Sequence, residues 1–147
     1  MDSVNVACGF LGGTILSTEG GYRVLQHPRP ERVFKRIADA RWFLVVNFCD
    51  ACPLPAGILN HEGTLSFQNE AALEIGETTF LPLEHRKAIF NACLTLSPGE
   101  STSYVIPAGD RPHQHLQIWG LEVDPRYGRV AIVRSLESLA SQSMTVD

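Results

Sequence analysis

The stretch Ala56-Gly57-Ile58-Leu59-Asn60-His61-Glu62-Gly63-Thr64-Leu65-Ser66-Phe67-Gln68-Asn69-Glu70-Ala71-Ala72-Leu73-Glu74-Ile75-Gly76 decides the fold. It reads as a strand, a tight turn at His61-Glu62-Gly63, a second strand and a short helix entered at Asn69. Glycine at 63 supplies the positive φ that a hairpin turn wants. Asparagine at 69 is a residue type that caps a helix by accepting from its first free N–H groups.

Downstream, Thr78 to Leu83 reads as a short connection, and Glu84 to Leu96 has helical spacing with Ile89, Cys93 and Leu96 aligned before Pro98-Gly99. Three strand-like runs follow, Ser101 to Ile106, His113 to Val123 and Arg129 to Arg134. They are separated by turn residues at Pro107-Ala108-Gly109-Asp110 and Asp124-Pro125-Arg126-Tyr127-Gly128, as an antiparallel meander requires. In the last run Val130 and Ile132 alternate with Ala131 and Val133, so both faces are apolar and the sheet is expected to be covered on both sides.

Upstream, residues 1–30 form a glycine-rich extension in which Gly9 to Leu16 and Tyr22 to Leu25 could pair as a small hairpin. A flanking amphipathic helix is expected over 31–52, with Val33, Ile37, Ala40 and Leu44 on one face. Its extent is open at Phe43 to Phe48, which reads equally as a strand. The strand–helix–strand unit is expected over 53–137, followed by a tail at 138–147. The fold class is α+β: a five-stranded antiparallel sheet with helices on one face and an N-terminal hairpin and helix extension.

The 147 residues suit one core, and 44% hydrophobic and 19% charged residues place the chain among folded globular proteins. A net charge of −4 argues against tracking a phosphate backbone. The basic run Arg29, Arg32, Lys35 and Arg36 is interrupted by Glu31 and reads as a solvated face. No nucleic-acid partner is expected. No apolar run approaches the roughly 18 residues of a membrane span. Asp2 stands where a secretory leader would carry a basic residue, and the expected address is the cytoplasm. Cys8, Cys49, Cys52 and Cys93 are too few and too unevenly spaced for a disulfide framework, so reduced thiols are expected.

The order of elements from about Pro53 to Arg134 resembles a PAS sensory domain. Ile58 to Gly63 resembles that family's apolar strand ending in a polar turn, Asn69-Glu70-Ala71-Ala72 its Asn-x-Ala-Ala helix start, and Pro82-Leu83-Glu84-His85-Arg86 its Pro-Glu-Asp-Arg helix opening. Gly109-Asp110 and Gly128-Arg129 fall at its two outer turns. The resemblance implies a non-catalytic sensory or protein-interaction module of a bacterial-type signalling system. Ligand or redox state would be coupled to the packing of the flanking helix, and a downstream signalling domain or protein would read the change. It implies a homodimer through the helix beginning at Glu31, and a small-molecule pocket lined by Phe67, Ile89, Phe90, Cys93 and Trp119. It names no cofactor. The Asn-Cys-Arg-Phe-Leu-Gln motif of flavin-binding relatives is missing, and His85 stands at the start of its helix rather than at the haem-ligand position within it. The four cysteines lack the paired spacing of an iron–sulfur site. The final strand leads to Ser135-Leu136-Glu137 in place of the family's Asp-Ile-Thr ending.

Two clusters carry chemistry of their own. Cys49-Asp50-Ala51-Cys52 places two thiols three apart after an apolar run, an arrangement that at a helix N-terminus would lower one thiol pKa. It supports an alternative reading as a small thiol–disulfide oxidoreductase. Against that reading, the chain continues into Pro53-Leu54-Pro55 rather than a long helix. His113 and His115 share a strand face with Gln117 and Trp119, but a zinc site wants three or four protein ligands, and no metal site is expected. The chain contains no nucleophilic serine motif, phosphate-cradling glycine loop or carboxylate pair of defensible geometry, so an enzyme is not expected.

Overall fold

The computed structural model describes residues 13–97, 99–107, 114–124 and 128–136, without the side chains of Val123 and Asp124. The turn at its centre follows directly from its residues. Asn60 Oδ1 accepts from the N–H groups of Glu62 (2.9 Å) and Thr64 (3.0 Å), and Gly63 takes φ 82°. On either side run β3 (Ala56–Leu59) and β4 (Leu65–Gln68). Ahead of them come β1 (Ile15–Thr18), β2 (Gly21–Val24) and α1 (Ile37–Ala51). After them come α2 (Glu70–Ile75), α3 (Glu77–Phe80), α4 (Leu83–Cys93), β5 (Ser101–Ile106), β6 (Gln114–Asp124) and β7 (Gly128–Ser135).

The five later strands form one antiparallel sheet in the order β4-β3-β7-β6-β5. β7 lies in the middle, which is why both of its faces are apolar. Val130 and Ile132 join the core on one side of the sheet, Ala131 and Val133 the core on the other. Helices α2, α3 and α4 cover the second side. The first side is covered by α1, which touches β3, β4, β6 and β7 on one flank and the β1–β2 hairpin on the other. The expectation of helices on one face therefore describes α2 to α4 only, and residues from the hairpin and α1 share a hydrophobic core with Ile58, Trp119 and Ile132.

The helix expected from Glu31 begins at Ile37. The preceding chain is committed elsewhere: Tyr22 and Phe34 exchange two backbone hydrogen bonds at 2.8 and 2.7 Å, holding residue 34 extended against the hairpin. Val33, assigned to the apolar helical face, is 42% exposed. The run Phe43 to Phe48 is helical. Its ambiguity has a physical cause, since a helix packed on two flanks is apolar nearly all round and loses the one-sided stripe by which helices are recognised. The exposed positions of α1 are Asp39, Asn47, Asp50 and Ala51, while Ile37, Trp42, Phe43, Val46 and Phe48 are partly buried. No contact among the described residues supports the expected helix-mediated homodimer. The hairpin pairs Ile15 to Thr18 with Gly21 to Val24, and residues 9–12 of the expected first strand lie outside the described residues. No helix among the described residues is long and apolar enough to cross a membrane.

Candidate functional site

Of the five residues expected to line one pocket, the sheet separates two from the other three. Ile89 and Cys93 are buried between α4 and the sheet, with Phe90 partly buried against the same core. Phe67 and Trp119 lie across the sheet, against α1. The register explains the division. Trp119 is opposite Ile132, Ile132 opposite Ile58, and Ile58 opposite Phe67, a single row on the α1 face. Their strand neighbours Ile118 and Leu116 face α4 instead and are the residues that belong with Ile89 and Cys93. Trp119 makes an edge-on contact with Phe48 of α1, ring centroids 5.3 Å apart, and Arg134 lies 5.1 Å from the centroid of the Trp119 ring and 5.7 Å from that of Phe48.

Asn69 joins the two sides. Its side chain is buried and makes five hydrogen bonds. Oδ1 accepts from Ala56 N–H at the start of β3 and from Ala72 N–H in the first turn of α2, both at 3.0 Å. Nδ2 donates to the carbonyls of Cys49 (3.0 Å), Cys52 (3.2 Å) and Leu54 (2.9 Å). Asn69 thus supplies donors to carbonyls in the last turn of α1 and just beyond it, while capping the next helix. The cap was legible from the sequence; the grip on α1 was not.

Arg86 is the corresponding junction on the α4 side. Its guanidinium donates to the carbonyls of Leu81 (2.8 Å) and Gly63 (3.0 Å), and to the carbonyl and carboxylate of Glu77, each at 3.4 Å. It ties the β3–β4 turn to α3 and α4. Beside it a groove of about 480 Å³ opens between that turn and α4, with Leu83, Lys87, Phe90 and Asn91 on one wall and His61 and Glu62 on the other. Phe90 thus reaches an outer groove rather than an enclosed space. At the far end of α4, Arg129 donates to the carbonyls of Cys93 and Leu96, both at 3.0 Å, a cation placed where the helix dipole favours one. Gly120 allows this close approach: a Cβ there would lie 2.7 Å from the Cys93 carbonyl oxygen.

The cysteine pair sits at the end of a helix rather than at a helix start. Cys49 is in the last turn of α1, Cys52 is its C-cap, and the Cys52 thiol is directed at the Phe48 carbonyl at 3.3 Å. A helix C-terminus carries partial negative charge and disfavours a thiolate, the reverse of the arrangement an oxidoreductase needs. Burial, with Cys52 and Asp50 nearby, pushes the Cys49 thiol from the ordinary 9.0 up to about 12. Burial also lifts Cys93 to about 11, opposed by the Arg129 guanidinium. The described cysteines are free thiols, and Cys8 lies outside the described residues. Cys52 borders a recess of about 180 Å³ shared with Arg134 and Leu136.

Alkylation of the native protein followed by peptide mass mapping is expected to label Cys52 well before Cys49 and Cys93. Above pH 9 the unfolded chain releases thiol protons that the folded chain retains. Stability that is complete below pH 9 is therefore expected to fall as pH rises toward 11 and 12. Urea unfolding across that range should show a shallower decline in Cys49→Ala.

His113 lies outside the described residues, while His115 follows the Gln117 and Trp119 side of β6. No group of three or more metal-ligating side chains exists among the described residues. No family model, curated protein or solved structure matches the chain.

Proposed function

We propose that the chain is a non-catalytic, PAS-type relay module of a signalling system, in which a small molecule or partner engages the α4 side and the packing of α1 carries the output. One observation carries this reading: the Asn69 side chain holds the last turn of α1, the start of β3 and the first turn of α2 at once. A displacement of α2 to α4 relative to the sheet therefore has a direct hydrogen-bonded route to α1. The input surface is the solvent-open groove beside Arg86, between the β3–β4 turn and α4. Relay by population shift needs only that the ligand bind the two packings of α1 with different affinity. The turn, the Asn69 helix start and the Arg86 helix opening, on which the PAS resemblance rests, are the parts that build this route. The signalling partner that reads α1 would be bound through its exposed positions or through a change in them.

Filling the groove by Phe90→Trp serves as a ligand surrogate. The expected result is altered amide hydrogen exchange at Cys49 to Ala51, on the opposite side of the sheet. A change confined to α3, α4 and the β3–β4 turn would overturn the relay. Insulin-disulfide reduction abolished by Cys49→Ser would overturn the non-catalytic reading.

A further inference from the structure

The two edges of the sheet are built differently. β4 has four residues, and its pairing with β3 is interrupted by a register shift at Ile58 and Leu59. β5 has six residues, Ser101-Thr102-Ser103-Tyr104-Val105-Ile106, paired with β6 through six successive partners without a bulge. No other strand among the described residues pairs with its outer edge. Exposed edges are normally guarded by charge, proline, a bulge or short length. β5 has none of these within it.

The edge is also braced. Tyr104 OH lies 2.9 Å from His85 Nδ1 on α4, and Ser101 Oγ accepts from Gln117 Nε2 at 3.0 Å. On the α1 side of the sheet, Val105 is 45% exposed in the same cross-strand row as His115, next to Leu136 at 47%.

We propose that β5 is an interface for a second copy of this chain, pairing antiparallel with its own copy across a two-fold axis through Ser103 and joining two sheets into one of ten strands. An antiparallel strand paired with itself is two-fold self-complementary, since residue i meets j wherever j meets i. That symmetry punishes any charge near the axis, which would face its own copy, and β5 is uncharged throughout. The nearest charge, Glu100, stands at one end of the strand, and the axis carries its copy to the other end. The same rotation places α4 beside α4. The interface rests on the sheet edge alone, and its failure leaves the relay reading standing.

Light scattering coupled to size exclusion is expected to give a dimer for the full chain. Ser103 is exposed, so Ser103→Lys should leave the far-ultraviolet circular dichroism of the monomer unchanged while setting two like charges against each other at the axis. The dimer should weaken several-fold, more at low salt. Ser103→Glu should behave alike, and an equal mixture of the two variants should recover the dimer. A monomeric wild type would overturn the proposal, whatever foreign strand the edge then binds. So would a dimer that Ser103→Lys leaves intact, or a mixture that fails to pair.

Discussion

Replacing Asn69 with alanine is expected to destabilise the fold by about 3 to 5 kcal/mol, the largest effect of any single polar substitution in the described structure. The substitution removes two acceptor and three donor contacts from a buried position. It strands the Ala56 and Ala72 N–H groups and the carbonyls of Cys52 and Leu54, while the Cys49 carbonyl keeps the Cys52 N–H. Each buried polar group left without a partner costs about 1 to 3 kcal/mol, and water entering near Leu54 offsets part of the sum. Measured stabilities of domains this size lie at about 5 to 15 kcal/mol, so urea unfolding should show a large loss of midpoint. Asn69→Asp separates the two halves of the hub. A carboxylate preserves acceptance from Ala56 and Ala72 but sets negative charge against the carbonyls of Cys49, Cys52 and Leu54. That variant should be as unstable as the alanine at neutral pH and recover as acid protonates the new side chain. Equal stability of Asn69→Asp at pH 7 and in mild acid would show that the grip on α1 contributes little, and with it the relay would lose its route.

How much of this was legible depends on the range of each interaction. The turn at Asn60 to Gly63 and the cap at Asn69 are local, formed by residues within five positions, and the sequence displays them. The second role of Asn69 is to partners 15 to 20 positions earlier, and no local pattern encodes it. The strand order Leu116, Ile118 and Gly120 against Gln117, Trp119 and Leu121 offers apolar residues on both faces, so alternation alone cannot choose which set faces α4. Trp119 belongs to the α1 face with Phe67, while Leu116 and Ile118 face Ile89 and Cys93. Cys49 and Cys52 show spacing but not helix polarity. The apolar run before them had to be recognised as helix before the pair could be placed at a C-terminus, and burial on two flanks had erased the stripe that would reveal it. Gly120 was unreadable for a similar reason. Its requirement comes from the Cys93 carbonyl, 27 positions away, and from the Arg129 guanidinium, 3.0 Å from where its Cβ would stand.

Arg86→Ala is expected to cost about 2 to 4 kcal/mol, and the cause can be separated into packing, charge and geometry by two further variants. The ion pair with Glu77 contributes little, because the carboxylate partner is 53% exposed and screened by solvent. The larger part comes from the Leu81 and Gly63 carbonyls, which the planar guanidinium satisfies from two different nitrogens at once. Arg86→Met retains apolar volume and loses every donor, so it should recover only the packing share. Arg86→Lys retains the charge but concentrates its donors at one point, and cannot reach the Gly63 turn carbonyl and the Leu81 carbonyl at the end of α3 together. It should therefore remain well below wild type. Urea unfolding ranks the three variants, and lysine matching wild type would assign the effect to charge rather than to the forked geometry. Hydrogen exchange adds a positional signature. Loss of Arg86 frees the β3–β4 turn from α3, so amides at Gly63 and Leu81 should speed up first. In the relay reading the change then extends through Asn69 to the final turn of α1, because both junctions anchor the same β3–β4 hairpin.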